Sequence, residues 1–177
     1  MVNKSLKTQS KPLKTIGSSV FISVDDYHKV PAKIDTGADS SAIWATNLNM
    51  TKDNVLEFTL FGKSSPFYDG KVIRRTDYSV AVVRSAMGQQ QIRYRVHLPI
   101  VIGGKKINAL FNLANRSRNN FPVLIGKRTI RGKFMVNVAK TAKKYPKIPR
   151  TVQLNQELQK DPFKFHQKYY KLDKSKE

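Results

Sequence analysis

Asp35 ends an apolar run, Val30–Ile34, and is followed at once by Thr36, Gly37 and Ala38, with a second carboxylate at Asp39. A carboxylate at a strand exit can act as a general acid or base on a bound ligand. Asp and Gly also favour turns, so the tripeptide alone reads first as the corner of a chain reversal. Three features move the reading toward chemistry. The preceding residues form a strand, which brings Asp35 to the edge of a core. Thr36 to Ala42 are all small or polar, so backbone can approach a ligand closely. Downstream, Leu124-Ile125-Gly126 repeats the pattern of an apolar pair closed by glycine.

The elements that must position these residues are strands. VFISV (Val20–Val24) is β-rich and Asp25-Asp26 breaks it. Val30–Ile34 follows, and Pro31 puts it at a sheet edge or strand start. Val55–Phe61 alternates apolar and polar residues, and Ser79–Arg84 is a further strand. Over Gln91–Ile102, Ile92, Tyr94, Val96, Leu98, Ile100 and Ile102 share one parity, so one face should be buried. Gly103-Gly104 turns the chain, and Ile107, Ala109, Phe111 and Leu113 return with the same alternation, which predicts a hairpin. Phe121–Ile125 is a short apolar strand, Lys127–Arg131 a helical turn and Phe134–Val138 a last strand. Many short strands with almost no helix predict an all-β small barrel or sandwich over residues 15–138. Residues 1–14 read as a basic flexible tail, and 139–177 as a basic linker and appendage. Within the appendage Leu154–Gln159 predicts a helical turn. Asp161 caps a second helix with Pro162 at its first position and Phe163, His166 and Tyr170 on one side.

Together the two motifs resemble the retropepsin-like aspartic proteases. KIDTGADSSAI fits the early Asp-Thr-Gly-Ala turn of that family, and PVLIGKRTI fits its late apolar-apolar-Gly element with a short helix. The likeness is stronger to a bacterial and archaeal branch, the RimK-associated type labelled ATP-dependent zinc protease. Its ordered motifs find counterparts in Thr15-Ile16-Gly17, Ala32–Ala38, Ser85–Gly88, Tyr94–Val96, Leu113–Arg116, Leu124–Gly126 and Gly132–Asn137. The resemblance spans roughly residues 15–138. Three positions depart from it: Trp44 stands where the branch often has histidine, Lys127 where it has arginine and Asn137 where it has aspartate.

The resemblance implies a closed acid-protease barrel and an aspartic endopeptidase. Such an enzyme needs two neighbouring carboxylates that share one proton; like charges so close drive the two pKa values apart. One ionised member takes a proton from water and the protonated member polarises the scissile carbonyl. This chain has one Asp-Thr-Gly, and Asp25, Asp26, Asp53, Asp69 and Asp77 lack the motif around them. The dyad therefore requires a homodimer with Asp35 meeting its mate on the two-fold axis. Asp35, Thr36 and Gly37 would be the catalytic turn, with the Thr36 hydroxyl bonding across the axis and Gly37 letting its N–H approach the carboxylates. Ala38, Asp39 and Gly126 would shape the substrate cleft; Asp39 would touch substrate backbone or pair with Lys127, and a solvated turn acid fits it equally. A flap should lie between the motifs, either around Met87-Gly88 (Arg84–Gln90) or in Ser64–Lys71, although an ordinary hairpin turn fits the first as well.

The net charge is +21 over 177 residues, with +4 in residues 1–14, +10 in 15–138 and +7 in 139–177. A field of that sign attracts acidic protein, nucleic acid or anionic membranes. Because the branch is associated with ligases that add glutamates to proteins, the resemblance implies a peptide or acidic, glutamate-rich substrate. The rival expectation is a non-catalytic basic β-module that binds nucleic acid or an anionic protein through Arg93, Arg95 and the aromatic, basic tails. There are no cysteines, which removes disulfides, thiolate metal sites and cysteine nucleophiles. His28, His97 and His166 have no metal-type spacing, so no metal or other cofactor is expected. Gly103-Gly104-Lys105-Lys106 lacks the phosphate-loop pattern. No apolar run approaches the ~20 residues of a membrane span, and without a secretory signal a cytoplasmic protein is expected.

Overall fold

The computed structural model describes residues 12–84, 88, 90–142 and 149–170, leaving aside the side chains of 149–151 and 170. Ten strands and three helices follow in order: β1 (Lys14–Val24), β2 (Tyr27–Asp35), β3 (Ser41–Met50), β4 (Leu56–Leu60), β5 (Val72–Arg75), β6 (Tyr78–Arg84), β7 (Gln90–Ile102), β8 (Lys105–Ala114), β9 (Val123–Gly126), α1 (Lys127–Ile130), β10 (Phe134–Thr141), α2 (Pro149–Lys160) and α3 (Pro162–Tyr170). Two compact units result, Met1–Lys143 and Lys144–Glu177.

In the first unit β1, β2, β9, β3, β8 and β7 form a ring that closes where β7 pairs back onto β1. This is the closed barrel of the acid-protease type, and it leaves no open edge among those six strands. Phe58, Phe111, Ile43, Leu98, Ile100, Ile102 and Ile125 are fully buried in its core. β10 flanks β1, β4 and β5 extend β3, and β6 extends β7.

The predicted hairpin is β7–β8. Gly103 and Gly104 both take positive φ, 54° and 80°, as a tight two-residue turn between twisted strands requires. The buried face of β7 is shorter than its alternation suggests. Val96, Leu98, Ile100 and Ile102 are buried, but Ile92 is 76% exposed and Tyr94 is half-buried. β8 pairs only from Arg95 onward; residues 90–94 pair with β6 alone and lie outside the ring, so that Tyr94 still packs against the margin of the core and Ile92 does not reach it. Pro31 is likewise not at a sheet edge. It sits within β2 opposite Phe21 of β1, and β9 begins pairing only at Ala32, so the missing N–H falls just before that ladder starts.

Two strands have no clear sequence signal. β3 is buried on successive residues, Ser41 to Ala45, because β8 and β9 flank it; alternation is therefore lost. β5 is four residues long. The last strand runs beyond Val138 to Thr141. In the second unit α2 starts well before Leu154. Asp161 accepts the Lys164 N–H at 2.9 Å, the cap anticipated for α3. Phe163 is 74% exposed and Phe165 packs on Tyr169 at 4.7 Å, while the Tyr170 side chain lies outside the described residues. Glu157 joins the helices by accepting from Lys168 (2.5 Å) and Tyr169 (2.9 Å). No described helix is long and apolar enough to cross a membrane.

Candidate active site

Asp35 is the last residue of β2, in parallel register with Gly126 at the end of β9. The chain then reverses through 36–40 and returns as β3, which also pairs with β9. One short apolar strand thus supports both sides of the turn. The half-buried Asp35 carboxylate accepts two backbone N–H groups through Oδ1, from Gly37 at 3.1 Å and Ala38 at 3.2 Å. The Ala38 N–H also reaches the Asp35 carbonyl at 3.3 Å. The second carboxylate oxygen, Oδ2, takes no part in those two bonds. The turn therefore orients the acid through one oxygen instead of spending both on itself.

The floor beneath the turn is built from backbone. The Ala38 carbonyl accepts the Lys127 N–H at 2.8 Å and the Asp39 carbonyl accepts the Arg128 N–H at 3.2 Å, which ties the turn to the first residues of α1. Gly126 makes this approach possible: a Cβ there would lie 2.6 Å from the Ser40 carbonyl carbon and oxygen. Behind the turn, buried Ser41 Oγ bonds Thr129 Oγ1 at 2.8 Å and accepts the Gly126 N–H at 3.1 Å. Asn112 on β8 donates to Ser40 Oγ at 2.9 Å and the Ser41 carbonyl at 3.0 Å. The sequence singled out none of Ser41, Thr129 and Asn112. Ser41 and Asn112 are polar residues on strands that pair within the barrel, and Thr129 is a polar residue on α1.

Asp39 is not a second acid beside Asp35. Its carboxylate pairs with Lys127 Nζ at 2.6 Å, and that cation holds its pKa below the ordinary carboxylate value. Within one chain Gly37 has ordinary space: an added Cβ would meet only Asp35 Oδ1, at 3.4 Å. Thr36 is exposed beside an apolar recess lined by Ile130, Phe134 and Val136.

An open cleft of about 670 Å³ lies between the turn and the β6–β7 hairpin. Gly37, Ala38, Asp39 and Ser40 line one wall, and Ala81 and Val83 of β6 belong to the other. Arginines dominate its charge: Arg84, Arg93, Arg95, Arg116 and Arg128, with Asp39 the sole acid among the described lining residues. Arg116 is half-buried and donates to the Phe121 carbonyl at 3.0 Å. Burial and the neighbouring Arg93 lower its pKa, and the Asp35 charge works in the opposite direction. Sequence reading assigned Arg116 no role at the site; only the fold brings the 115–120 loop to the turn.

Of the two flap candidates, the loop around Ser64–Lys71 is fastened to the barrel. Phe67 packs on Phe61 at 5.5 Å, Asp69 accepts the Tyr27 hydroxyl at 2.7 Å, and Lys71 pairs with Asp26 at 2.5 Å. The β6–β7 hairpin is the one that faces the turn. Its tip includes Gly88, exposed at φ 78° with open space around it and outside the described cleft lining. Met87 lies outside the described residues. Gly126 packs behind the turn instead of lining the cleft.

The sequence comparison identifies a family. The RimB-like family, described as retropepsin-like aspartic endopeptidase RimB, matches residues 16–147. The chain belongs to this family. Among solved structures the RimB-like chain is similar to a Legionella pneumophila protein of unknown function. The two are 27% identical with a TM-score of 0.54, over 72% of this chain and 95% of that one. No curated protein sequence matches it. The three departures noted in the sequence have local explanations. Trp44 is a core residue whose ring leaves no room for a Cβ at Gly62 (2.6 Å). Lys127 holds Asp39, and Asn137 accepts the Ala139 N–H at 3.0 Å.

Proposed function

We propose that this RimB-like chain is an aspartic endopeptidase that acts as a homodimer on acidic protein segments. The observation that carries the reading is the Asp35 carboxylate, oriented by two backbone N–H groups in a turn whose following residues, Gly37 to Ser40, line an arginine-rich cleft, and close enough to Arg116 of that cleft for their charges to interact. One such acid per chain is half of the required pair. The partner's Asp35 would supply the other half, with Thr36 and the apolar recess beside it on the contact face. Water would then add to the scissile carbonyl while the ionised carboxylate takes its proton. The protonated carboxyl would hydrogen-bond the carbonyl oxygen, and collapse of the tetrahedral diol would break the C–N bond as the amine takes up a proton.

The arginines support the choice of substrate. Guanidinium groups bind carboxylates in bidentate fashion, and part of that attraction survives salt when the groups are partly desolvated. A basic module that binds nucleic acid without cleaving anything is the competing reading, and the same arginines favour it. The test is cleavage of a glutamate-rich peptide and a neutral peptide by the wild type and by Asp35→Asn, from about pH 3 to 8, with oligonucleotide binding followed in parallel. Preferential cleavage of the acidic peptide that drops by roughly a thousandfold or more in Asp35→Asn, with the melting temperature kept, is the expected result. Equal cleavage of both peptides would remove the substrate assignment. Absence of cleavage throughout, with oligonucleotide binding intact, would favour the binding module.

A further inference from the structure

Past the arginine cleft the barrel surface carries a second cavity, an open groove of about 490 Å³ between the β7–β8 hairpin and α1. Six of its lining residues are basic: Arg95, His97, Lys105, Lys106, Arg128 and Lys133. No described lining residue is acidic, and none is Phe, Tyr or Trp. The acids of the barrel unit that form ion pairs do so elsewhere, Asp26 with Lys71, Asp39 with Lys127 and Glu57 with Arg74. Apart from Asp39, whose charge reaches Arg128 from outside the lining, no acid offsets these cations, so they repel one another and an anionic occupant would relieve that repulsion. Arg95 Nε is buried and has no hydrogen-bond partner, so a donor at the head of the groove is unspent.

The groove is continuous with the cleft. Ser40, Arg95 and Arg128 line both cavities. From Arg95 along β7 to Val101, which faces Lys106 across the ladder, the strand advances by roughly 20 Å at about 3.3 Å per residue. That length suits about six residues of an extended chain, with alternate side chains turned to the basic wall. Single-stranded nucleic acid is held by bases stacked on aromatic rings as well as by charge, and this lining offers no Phe, Tyr or Trp ring, only the single imidazole of His97. We infer that the groove is an exosite for a polycarboxylate peptide, holding the acidic segment that continues beyond the bond placed at Asp35. Its register with a scissile bond rests on the peptidase reading; its affinity for acidic peptide does not.

Binding can therefore be read apart from cleavage, on full-length Asp35→Asn protein. The probes are a labelled deca-glutamate peptide, a tetra-glutamate peptide, a deca-glutamine peptide and a deca-thymidine oligonucleotide, followed by fluorescence anisotropy over a range of salt. Lys106→Glu with Lys133→Glu reverses charge in the groove and leaves the lining of the cleft unchanged. Lys52→Glu with Lys63→Glu makes the same change of net charge at exposed lysines outside both cavities. Deca-glutamate should bind more tightly than tetra-glutamate. The groove pair should weaken its binding by about tenfold and flatten its salt dependence, and the control pair should change little. Matched melting temperatures exclude unfolding, and Lys106→Ala with Lys133→Ala repeats the test without new acids. Equal weakening by both pairs would overturn the exosite, since only net charge would then matter. So would an oligonucleotide that binds as tightly as deca-glutamate and is lost in the same variants. Groove-dependent binding in a wild type that cleaves no peptide would keep the exosite and remove the peptidase reading. Cleavage and binding both indifferent to the groove pair would do the reverse.

Discussion

The floor of the site and the hairpin above it are built by opposite means. The floor is the Asp35 turn on Gly126, Ser41 and Thr129, where backbone meets backbone and buried hydroxyls satisfy one another. The hairpin arm is β6 with the first part of β7, outside the closed ring, with Val80 (53%), Val82 (62%) and Ile92 (76%) exposed. Its contribution to the cleft is side-chain charge, Arg84 and Arg93, with Arg95 following at the start of the ring, together with Ala81, Val82 and Val83. An acid that must be positioned to fractions of an ångström needs a site that cannot repack, whereas attraction to an anion tolerates a mobile wall. Substitutions in the floor should therefore cost stability and activity together, and those on the arm should alter substrate choice while the fold persists.

The sharpest way to break that contrast is Gly126→Ala. Its Cβ would strike the Ser40 carbonyl group and press on the Ala38 oxygen, 2.9 Å away. We expect a loss of about 3 kcal/mol, the upper end of overpacking costs, measured by urea unfolding. Wild-type stability would show that the floor can yield. Ser41→Ala should be next. It leaves the Gly126 N–H and the Thr129 hydroxyl without their buried partner, at about 1–3 kcal/mol by the same measurement.

On the arm, Arg93→Ala should leave stability within about 0.5 kcal/mol. Among the described residues its side-chain bonds run to Gln91 on the same strand. Its effect should be on KM for an acidic peptide, raised by roughly tenfold with little change in kcat, because a cleft-wall charge acts on encounter and binding. A fall in kcat at unchanged KM would mean that the arm positions the reacting atoms after all.

The smallest effect belongs to the pair that borders both regions, Asp39 and Lys127. Lys127 lowers the Asp39 pKa from its ordinary 3.8. A carboxylate with a depressed folded-state pKa stabilises the fold above its unfolded value, and loses that contribution as pH falls through the folded one. Lys127→Met should therefore melt slightly below the wild type at pH 7, and the two melting curves should converge as pH drops below about 3.8. Both groups are exposed, so the difference at neutral pH is small. A gap that persists in strong acid would show that Lys127 acts through packing.

Much of the scaffold is legible locally. The Gln91–Ile102 alternation and Gly103-Gly104 specify a hairpin because side-chain period and turn φ are properties of adjacent residues. Asp161-Pro162 specifies a helix start for the same reason. β3 was hidden because a strand flanked by two others in a closed ring loses the alternation that betrays a half-exposed one. Ile92 misleads in the reverse sense: its parity predicts burial, but the sheet behind it has ended.

By itself the sequence determined that Asp35 closes a strand into a small-residue turn, that a glycine follows the apolar pair at 124–125, and that the chain is strongly basic. Those are facts of residue order and composition. Only the tertiary structure decided that Gly126 lies beneath the turn, that Asp39 is committed to Lys127, and that five arginines from β6, β7, the 115–120 loop and α1 converge on one cleft. The reason is separation along the chain. β2 and β9 are parallel neighbours whose paired residues are 91 positions apart, Asp35 beside Gly126, and only closing the barrel brings the acid, its floor and the surrounding cations within reach of one ligand.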